Sequence, residues 1–368
     1  MRSAKPPLSG AALALVVPAR HGPDSLDAST VISIIVPVHN DAASVQACIE
    51  GLQQQTDSAF EVVLVDDAST DATPAVLAAS GYSVVTLPTN KGQAVARNAG
   101  VAAASGHVLI FLDADTLPPP DWVTTHRRLL LDHPDATMIC SGYSTNLRDG
   151  AAAWFAYYEQ AFRRRGLARW IDSASGANVA VRRTVFEEIG GFPEYYLDPR
   201  DTSGKACAVA EDSELGWLLA RAGHKILWTP DNPVAHRFRG DWAGYMAQQQ
   251  SYSRFLTISL FRYPDKLKQQ GIYAGEQVLP QVAVIGLMMG APVLAVAGIP
   301  GLLAAGAVLG AGVAWFGWTQ RRFLAHLSEQ DHAPSIGMAL GVLLTSRAHW
   351  LVGILQGLWD GLWMNRRG

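Results

Sequence analysis

Cysteine is scarce in this chain: Cys48, Cys140 and Cys207 are the only three in 368 residues. They are scattered and odd in number, so neither a disulfide framework nor a zinc site is suggested, and a reducing, cytoplasm-facing compartment fits. Charge is scarce as well. Charged side chains make up 17% of the residues against 49% hydrophobic, less charge than a soluble two-domain enzyme carries. The net charge of −3 gives no reason to expect a nucleic-acid partner. The deficit is concentrated near the C-terminus, where residues 278 to 318 hold no charged side chain.

What the sequence does contain is organised around Val108 to Thr116, V-L-I-F-L-D-A-D-T. A continuous apolar run of this length suits a fully buried parallel strand, and it stops at two carboxylates two positions apart. In open α/β sheets ligands bind beyond the carboxyl ends of the strands, where Asp113 and Asp115 fall. Both can reach one ion only if the backbone leaves the ladder between them. One or two carboxylates completed by substrate phosphates are the usual way to hold Mg²⁺ or Mn²⁺. Taken alone, D-x-D is equally what a solvated turn after a strand looks like.

Upstream, Val31 to Pro37 reads as a strand ended by Pro37, Ser44 to Gln54 as a helix, and Phe60 to Val65 as a second strand running into Asp66 and Asp67. A helix over Ala72 to Ser80, a strand over Ser83 to Leu87 and a helix opening near Gly92 repeat the pattern. Right-handed crossovers make these strands parallel, giving a doubly wound, nucleotide-type half. Each strand then delivers polar residues to one rim: His39 and Asn40, Asp66 and Asp67, Asn90 and Lys91, Asp113 and Asp115. Acids there suit ribose hydroxyls or a base N–H. Lys91, Gly92 and Arg97 offer cations and close backbone approach to a diphosphate.

These residues resemble a family 2 glycosyltransferase of the GT-A fold, from about residue 31 to 240. The resemblance is carried by I-I-V-P-V-H-N (34 to 40), V-D-D-A-S-T (65 to 70), N-K-G-Q-A-V-A-R-N-A-G (90 to 100), F-L-D-A-D-T (111 to 116), S-G-A-N-V-A-V-R-R (175 to 183), G-G-F-P-E (190 to 194) and E-D-S-E-L-G-W-L-L-A-R-A-G (211 to 223). It implies transfer of a sugar from a nucleotide-sugar donor, UDP-linked in preference to GDP-linked, usually with inversion. By the same resemblance Pro37, His39, Asp66 and Asp67 cradle base and ribose, and Lys91 and Arg97 lie near the nucleoside and its phosphates. Asp113 and Asp115 hold the nucleotide and its Mg²⁺ or Mn²⁺, Asp212 is the general base, and Glu211 positions donor or acceptor. His39 departs from the Tyr of many relatives. His236, in V-A-H-R-F-R, is the family-like candidate to complete the metal site; a surface or packed histidine is the alternative.

Asp212 opens an apolar helical run, so a simple N-terminal helix carboxylate is its other reading. Small residues from Ser175 to Asn178 would let a sugar approach the backbone. Residues 195 to 210 read as a lid beside the site or as an ordinary insertion. The family's processive synthases carry Q-x-x-R-W, and Gln248 to Phe255 does not contain it, which favours a non-processive enzyme over a polysaccharide synthase. A sugar-nucleotide-forming nucleotidyltransferase would carry a Gly-rich basic signature close to the N-terminus, and none is found. A catalytically silent nucleotide-binding scaffold is a further alternative, opposed by intact Asp113, Asp115, Glu211 and Asp212.

Domain boundaries follow the composition. Residues 1 to 30 are read as a flexible tail, with A-A-L-A-L-V-V too short for a convincing signal peptide. Residues 31 to 260 form the catalytic domain and 261 to 277 an interfacial linker. Val278 to Ala297 is long enough to cross a bilayer at about 1.5 Å per residue. Leu302 to Trp318 returns as a shorter span, completing a transmembrane hairpin over 278 to 318. Arg262, Lys266 and Lys268 before it and Arg321 and Arg322 after it place both flanks and the enzyme domain on the cytoplasmic side of an inner (plasma) membrane, as a multi-pass protein. Residues 319 to 368 hold a cytoplasmic loop and then an apolar stretch, 335 to 363, interrupted by Arg347 and His349. That stretch either lies in the interface or spans as a third helix with Arg347 sheltered. The helix predicted over Ala151 to Trp170, aromatic on one face with Arg163, Arg164, Arg165 and Arg169 beyond, rests on anionic lipid, holds an acceptor phosphate, or packs in a core with a solvated basic end. A catalytic rim facing the bilayer would take a lipid or lipid-linked acceptor.

Overall fold

The computed structural model describes residues 30–194, 211–265, 275–297 and 299–365. Strand β1 (Ile32–Val38), helix α1 (Ala42–Gln53), β2 (Phe60–Asp66), α2 (Thr73–Ala79), β3 (Ser83–Thr86), α3 (Gln93–Ala103) and β4 (Val108–Leu112) form the opening βαβ series. Then come β5 (Thr116–Leu117), α4 (Trp122–Asp132), β6 (Met138–Cys140), β7 (Tyr143–Asn146), α5 (Ala151–Arg164), β8 (Trp170–Ile171), β9 (Asn178–Arg182) and α6 (Arg183–Glu188). After α7 (Glu211–Arg221), β10 (Ile226–Trp228) and β11 (Val234–His236), the chain turns helical: α8 (Trp242–Arg262), α9 (Gly275–Gly290), a 3₁₀ segment (Ala291–Ala297), α10 (Ile299–Ser328) and α11 (Ile336–Asn365).

The main sheet has the order β3-β2-β1-β4-β9-β6-β10-β8. Strands β1 to β4 pair in parallel, β9 runs antiparallel between β4 and β6, and β10 is parallel to β6. This is the mostly parallel, doubly wound sheet that the sequence resemblance implies. All seven residues of β1 are buried because both sheet faces are covered. Ile34 and Val36 pack with Val45, Ile49 and Leu52 of α1 on one face; Ile35, one residue out of phase, packs with Ala94 and Val101 of α3 on the other.

Pro37 does not end β1 as expected from its missing N–H. The β1·β4 ladder stops at Ile35 opposite Phe111, while the β1·β2 ladder runs on to Val38. The Val38 carbonyl accepts from Asp67 N toward β2, so its neighbour Pro37 faces the side where the ladder has already ended.

The apolar quarter differs in detail from the two predicted spans. The α-helix stops at Gly290 and continues as 3₁₀ through Ala297, since Pro292 has no N–H to give the carbonyl one turn back. Helix α10 runs 30 residues, past Arg321 and Arg322, with no Gly or Pro to stop it in that stretch. Phe316, Phe323, Leu324 and Leu327 of α10 pack against Phe155 and Tyr158 of α5. The aromatic face of α5 is therefore a core face, which leaves the first two readings of that helix to its arginines. Two helices, Ile299–Ser328 and Ile336–Leu362, are long and apolar enough to cross a membrane. Helix α11 runs alongside α8 in the same direction, with Gly353, Gly357 and Gly361 facing Ser253, Thr257 and Phe261 in turn. Arg347 of α11 is buried, its Nε donating to Gln281 Oε1 of α9 at 2.8 Å.

Candidate active site

The site begins where β4 ends. Asp113, Ala114 and Asp115 lie between β4 and β5, and Thr116 N donates to the Asp113 carbonyl at 3.1 Å, closing a turn. That turn is the exit from the ladder that lets two carboxylates one residue apart serve one cavity. Thr116 pairs with His236 across the small sheet β5-β11-β7, which sets His236 Nε2 3.4 Å from Asp115 Oδ1. The His236 ring packs on Tyr143 and Phe238, and its Nδ1 is buried without a partner.

Arg97 of α3 ties the carboxylates together. Its Nη2 donates to Asp113 Oδ1 at 2.7 Å and its Nη1 to Glu211 Oε1 at 2.6 Å, with only 1% of its side chain exposed. Burial opposes charge on Arg97, but Asp113, Glu211 and Asp212 around it outweigh burial and hold the guanidinium charged. Burial raises the Glu211 carboxyl above its ordinary range, against the pull of Arg97, and the like charge of Asp212 adds to the rise. Enclosure in the cleft raises Asp115 too; His236 pulls it down, and Asp113 and Asp41 add to the rise. A third of the Asp115 side chain stays open to the cavity.

Asp212 is in the first turn of α7. Its Oδ2 accepts from Gly176 N at 2.7 Å and its Oδ1 from Ser213 N at 2.6 Å, so the carboxylate is oriented by two backbone donors while each oxygen keeps a further lone pair. A Cβ on Gly176 would lie 3.0 Å from Arg97 Nη2 and 3.1 Å from Asp212 Cβ. The glycine thus makes room for Arg97 and Asp212 to share one floor. Below it, Asn178 Oδ1 accepts from Trp122 Nε1 at 3.1 Å and pairs with His126 Nε2 at 3.1 Å, all fully buried. This network pins the start of β9, and with it the Ser175–Gly176 turn.

The rim expected to cradle a nucleoside is arranged by the backbone. Asp67 accepts from Lys91 N at 2.6 Å and Gly92 N at 2.8 Å, and Asp66 from Ser69 N at 2.9 Å. His39 Nδ1 lies 2.8 Å from the Asp67 carbonyl. Positive φ at Asn40, Ala68 and Gly92 marks the sharp turns that bring these loops together. Pro37 is buried inside β1, whereas His39 is exposed. Asp66 and Asp67 are buried too, so their backbone bonds shape this rim.

A cavity of about 560 Å³ joins the Asp113–Asp115 turn and the start of α7 to α5, α8 and α11. Asp113, Asp115, Arg97, Glu211, Asp212 and His236 line one part of it. Glu159, Gln160, Arg164, Tyr245, Gln249 and Trp350, from α5, α8 and α11, line another. Pro37, His39, Asp66, Asp67 and Lys91 are outside its lining. Among the described residues no three His, Cys, Asp or Glu side chains converge closely enough to hold a metal unaided. Two adjacent carboxylates whose like charges oppose one another nevertheless suit a divalent cation that takes its remaining oxygens from substrate phosphates. Of the four arginines offered in sequence as phosphate or lipid contacts, Arg164 is the one that lines this cavity. Residues 195 to 210 and Cys207, like the tail 1 to 29, lie outside the described residues.

The glycosyl transferase family 2 model matches residues 33–190. That segment belongs to the family, and the chain carries a family 2 glycosyltransferase domain of the GT-A fold. Two relatives extend the match beyond the segment. Glycosyltransferase AglE of Haloferax volcanii is 26% identical over 62% of this chain and 79% of its own length. The pre-mycofactocin glycosyltransferase of Mycobacterium tuberculosis is 25% identical over 70% of this chain. The match spans about half, 54%, of that mycobacterial protein. In fold, the chain is similar to the mannosyltransferase PcManGT from Pyrobaculum calidifontis, solved with GDP-Man and Mn²⁺. The two share a TM-score of 0.54 and 20% identity, over 89% of this chain and 87% of that one.

Proposed function

We propose that this chain is a membrane-anchored, metal-dependent, inverting glycosyltransferase. It moves one sugar from a nucleotide-sugar, UDP-linked by preference, to a hydroxyl or phosphate on a lipid or lipid-linked acceptor at the cytoplasmic face. The observation that carries this reading is the shared cavity, with the Asp113–Asp115 turn and Asp212 in one part and the helices next to the apolar quarter in the other.

In a single displacement the acceptor oxygen attacks the anomeric carbon as the bond to the diphosphate breaks and its electron pair leaves with the phosphate. Asp212, oriented by Gly176 and Ser213, takes the proton of a hydroxyl acceptor. Arg97 keeps Asp113 and Glu211 fixed on the donor side. Asp113 and Asp115, with His236 beside them, would hold Mg²⁺ or Mn²⁺, which supplies charge stabilisation on the departing diphosphate. His39, Asp66, Asp67 and Lys91 form the nucleoside end of the rim, with Pro37 beneath it.

The anchoring is supported by exposure. Val296, Ile299 and Leu303 are 88%, 75% and 71% exposed, and contiguous apolar surface of this kind marks a membrane or protein contact. The hairpin of α9, the 3₁₀ segment and the first half of α10 is the part that enters the bilayer. Helix α11 keeps one face on α8, through Gln250–Gln356 and Arg254–Asp360 bonds, and leaves Val352, Leu355, Trp359 and Leu362 outward. A helix docked along so polar a partner fits the interface better than the hydrocarbon core. The test is incubation of membranes containing the full chain with radiolabelled nucleotide sugars and Mn²⁺. Label is expected in the organic extract, and label found only in water-soluble product rejects the lipid acceptor.

A further inference from the structure

Arg164 closes α5 and is 7% exposed, yet among the described residues no carboxylate pairs with it. Its Nη1 donates to Gln160 Oε1 at 2.5 Å and its Nη2 reaches Ser175 Oγ at 3.4 Å. Its Nε is buried with no partner, and its guanidinium lies 5.0 Å from the Tyr143 ring centroid and 6.0 Å from that of Trp228. Two arginines beside it are matched, Arg97 by Asp113 and Glu211 and Arg163 by Glu159. Arg148, Arg237 and Arg239 line the cavity as well, but none of them is among the buried residues as Arg164 is. A buried guanidinium held by neutral partners and aromatic faces, opening on a cavity, is unfavourable unless an anion arrives to meet it.

Its place along the cavity says which molecule brings the anion. Asp113 contacts Arg97, Arg97 and Asp212 flank Gly176, and Ser175, one residue back, contacts Arg164. Arg164 is therefore linked to the Asp113–Asp115 turn only through intermediates, Ser175, Gly176 and Arg97 on one path and Tyr143 and His236 on the other, and it opens on the cavity from the end of α5. We propose that Arg164 receives a phosphate group carried by the acceptor, with Gln160 and Ser175 holding the guanidinium ready for it. The proposal rests on reading this cavity as a glycosyl-transfer site. A guanidinium suits phosphate because its planar fork donates two parallel hydrogen bonds, and here two aromatic rings limit its swing.

The experiment uses the full chain in detergent micelles and measures binding of farnesyl phosphate, glycerol 3-phosphate, inorganic phosphate and farnesol, alongside UDP and GDP with Mn²⁺. Phosphate-bearing probes are expected to bind and farnesol to bind at least about tenfold more weakly, the scale of one charge-assisted contact. Arg164→Gln should lose that phosphate preference, Arg164→Lys should recover part of it, and nucleotide binding should stay within about twofold in both. Farnesyl phosphate binding more tightly than glycerol 3-phosphate assigns the group to a lipid head; equal binding assigns it to a soluble phosphate. Farnesol binding as well as farnesyl phosphate to the unaltered protein overturns the proposal, whatever the variants do. So does a parallel loss of nucleotide affinity in Arg164→Gln, which would move Arg164 to the donor side. Absence of nucleotide binding to the unaltered protein instead sinks the glycosyl-transfer reading, a separate outcome.

Discussion

The two parts of the cavity are built by different means. Around the ends of β1, β2 and β4, and at the start of α7, the acids are held by nearby backbone or by Arg97: Asp66 by Ser69 N, Asp67 by Lys91 N and Gly92 N, Asp212 by Gly176 N and Ser213 N. Along α5, α8 and α11 the contacts run between side chains of distant segments. Glu159 accepts from Tyr245 Oη at 2.7 Å, and Gln249 Oε1 from Trp350 Nε1 at 2.9 Å. The first part is fixed by the sheet, so its geometry is common to whatever sugar is moved. The second depends on how three helices pack, which is where a choice of acceptor can be made without disturbing the donor.

The sharpest way to break this comparison is to remove the chemistry of the first part. Asp212→Asn keeps the shape and one of the two backbone hydrogen bonds but loses the base, and transfer to a hydroxyl acceptor should fall about 10²- to 10⁴-fold. Asp115→Ala should abolish metal-stimulated transfer. Both should elute and melt as folded protein, and full activity in either, measured as labelled product per minute, would reject the assigned roles.

Next in size is Arg97→Met. It leaves Asp113 and Glu211 without their shared cation in a buried setting, and breaking such a cluster from one side costs about 3–5 kcal/mol. The unfolding midpoint should drop sharply, and adding Mn²⁺ with UDP should recover only part of it, because Glu211 stays unpaired. A variant as stable as the parent would show that Arg97 is dispensable to the strand-end architecture.

Acid probes the floor beneath the same part. Asn178 Oδ1 can only accept, so His126 Nε2 carries the proton and the buried Nδ1 is left bare. Burial pushes His126 down from 6.5 to about 4. In the unfolded chain His126 takes up a proton near pH 6.5, whereas the native protein resists until about pH 4. Stability from this group is therefore complete above pH 6.5, declines as pH falls toward 4, and changes no further below that. The loss amounts to about 3 kcal/mol. His126→Gln should start from lower stability but show a flatter profile across that window; an unchanged slope in denaturant titrations would place the acid sensitivity elsewhere.

The legibility of the two parts follows the same division. Strands β1, β2 and β4 announce themselves as apolar runs ending in acids, and the D-A-D turn, E-D pair and K-G at the α3 entrance are local sequence features. Nothing local says that Arg97 would bridge Asp113 to Glu211, 114 residues away in sequence, or that Gly176 serves their approach. Trp122 and His126 share a face of α4, but that Asn178, 52 residues on, completes their network shows only in three dimensions. Strands β6, β7 and β11, three or four residues each, are too short for a period of two to show. The run Arg163-Arg164-Arg165 is legible as a phosphate or lipid contact or as a solvated end, but which arginine turns inward is decided only by the packing of α5. Helix α11 is ambiguous in sequence for a related reason: Arg347 interrupts an apolar stretch, and nothing local says that Gln281 of α9 receives it or that Gln356 and Asp360 meet α8.

The smallest expected effect tests that last contact. A Cβ on Gly357 would lie 2.7 Å from Thr257 Cβ and 3.2 Å from its Cγ2, closer than side chains approach, and α8 would have to move away. Gly357→Ala should therefore cost about 1–3 kcal/mol by overpacking, more than the gain of roughly 0.5–1 kcal/mol that alanine brings to a helix interior. Gly341, on the same helix, has nothing within 4 Å of an added Cβ, so Gly341→Ala should be neutral or slightly stabilising. Because Trp350 reaches Gln249 at the cavity wall, the Gly357 variant should also weaken acceptor use while nucleotide binding is retained. If both alanines shift the melting midpoint alike, or if nucleotide affinity falls with acceptor use, the two parts of the cavity are not independent and the helices shape the donor end as well.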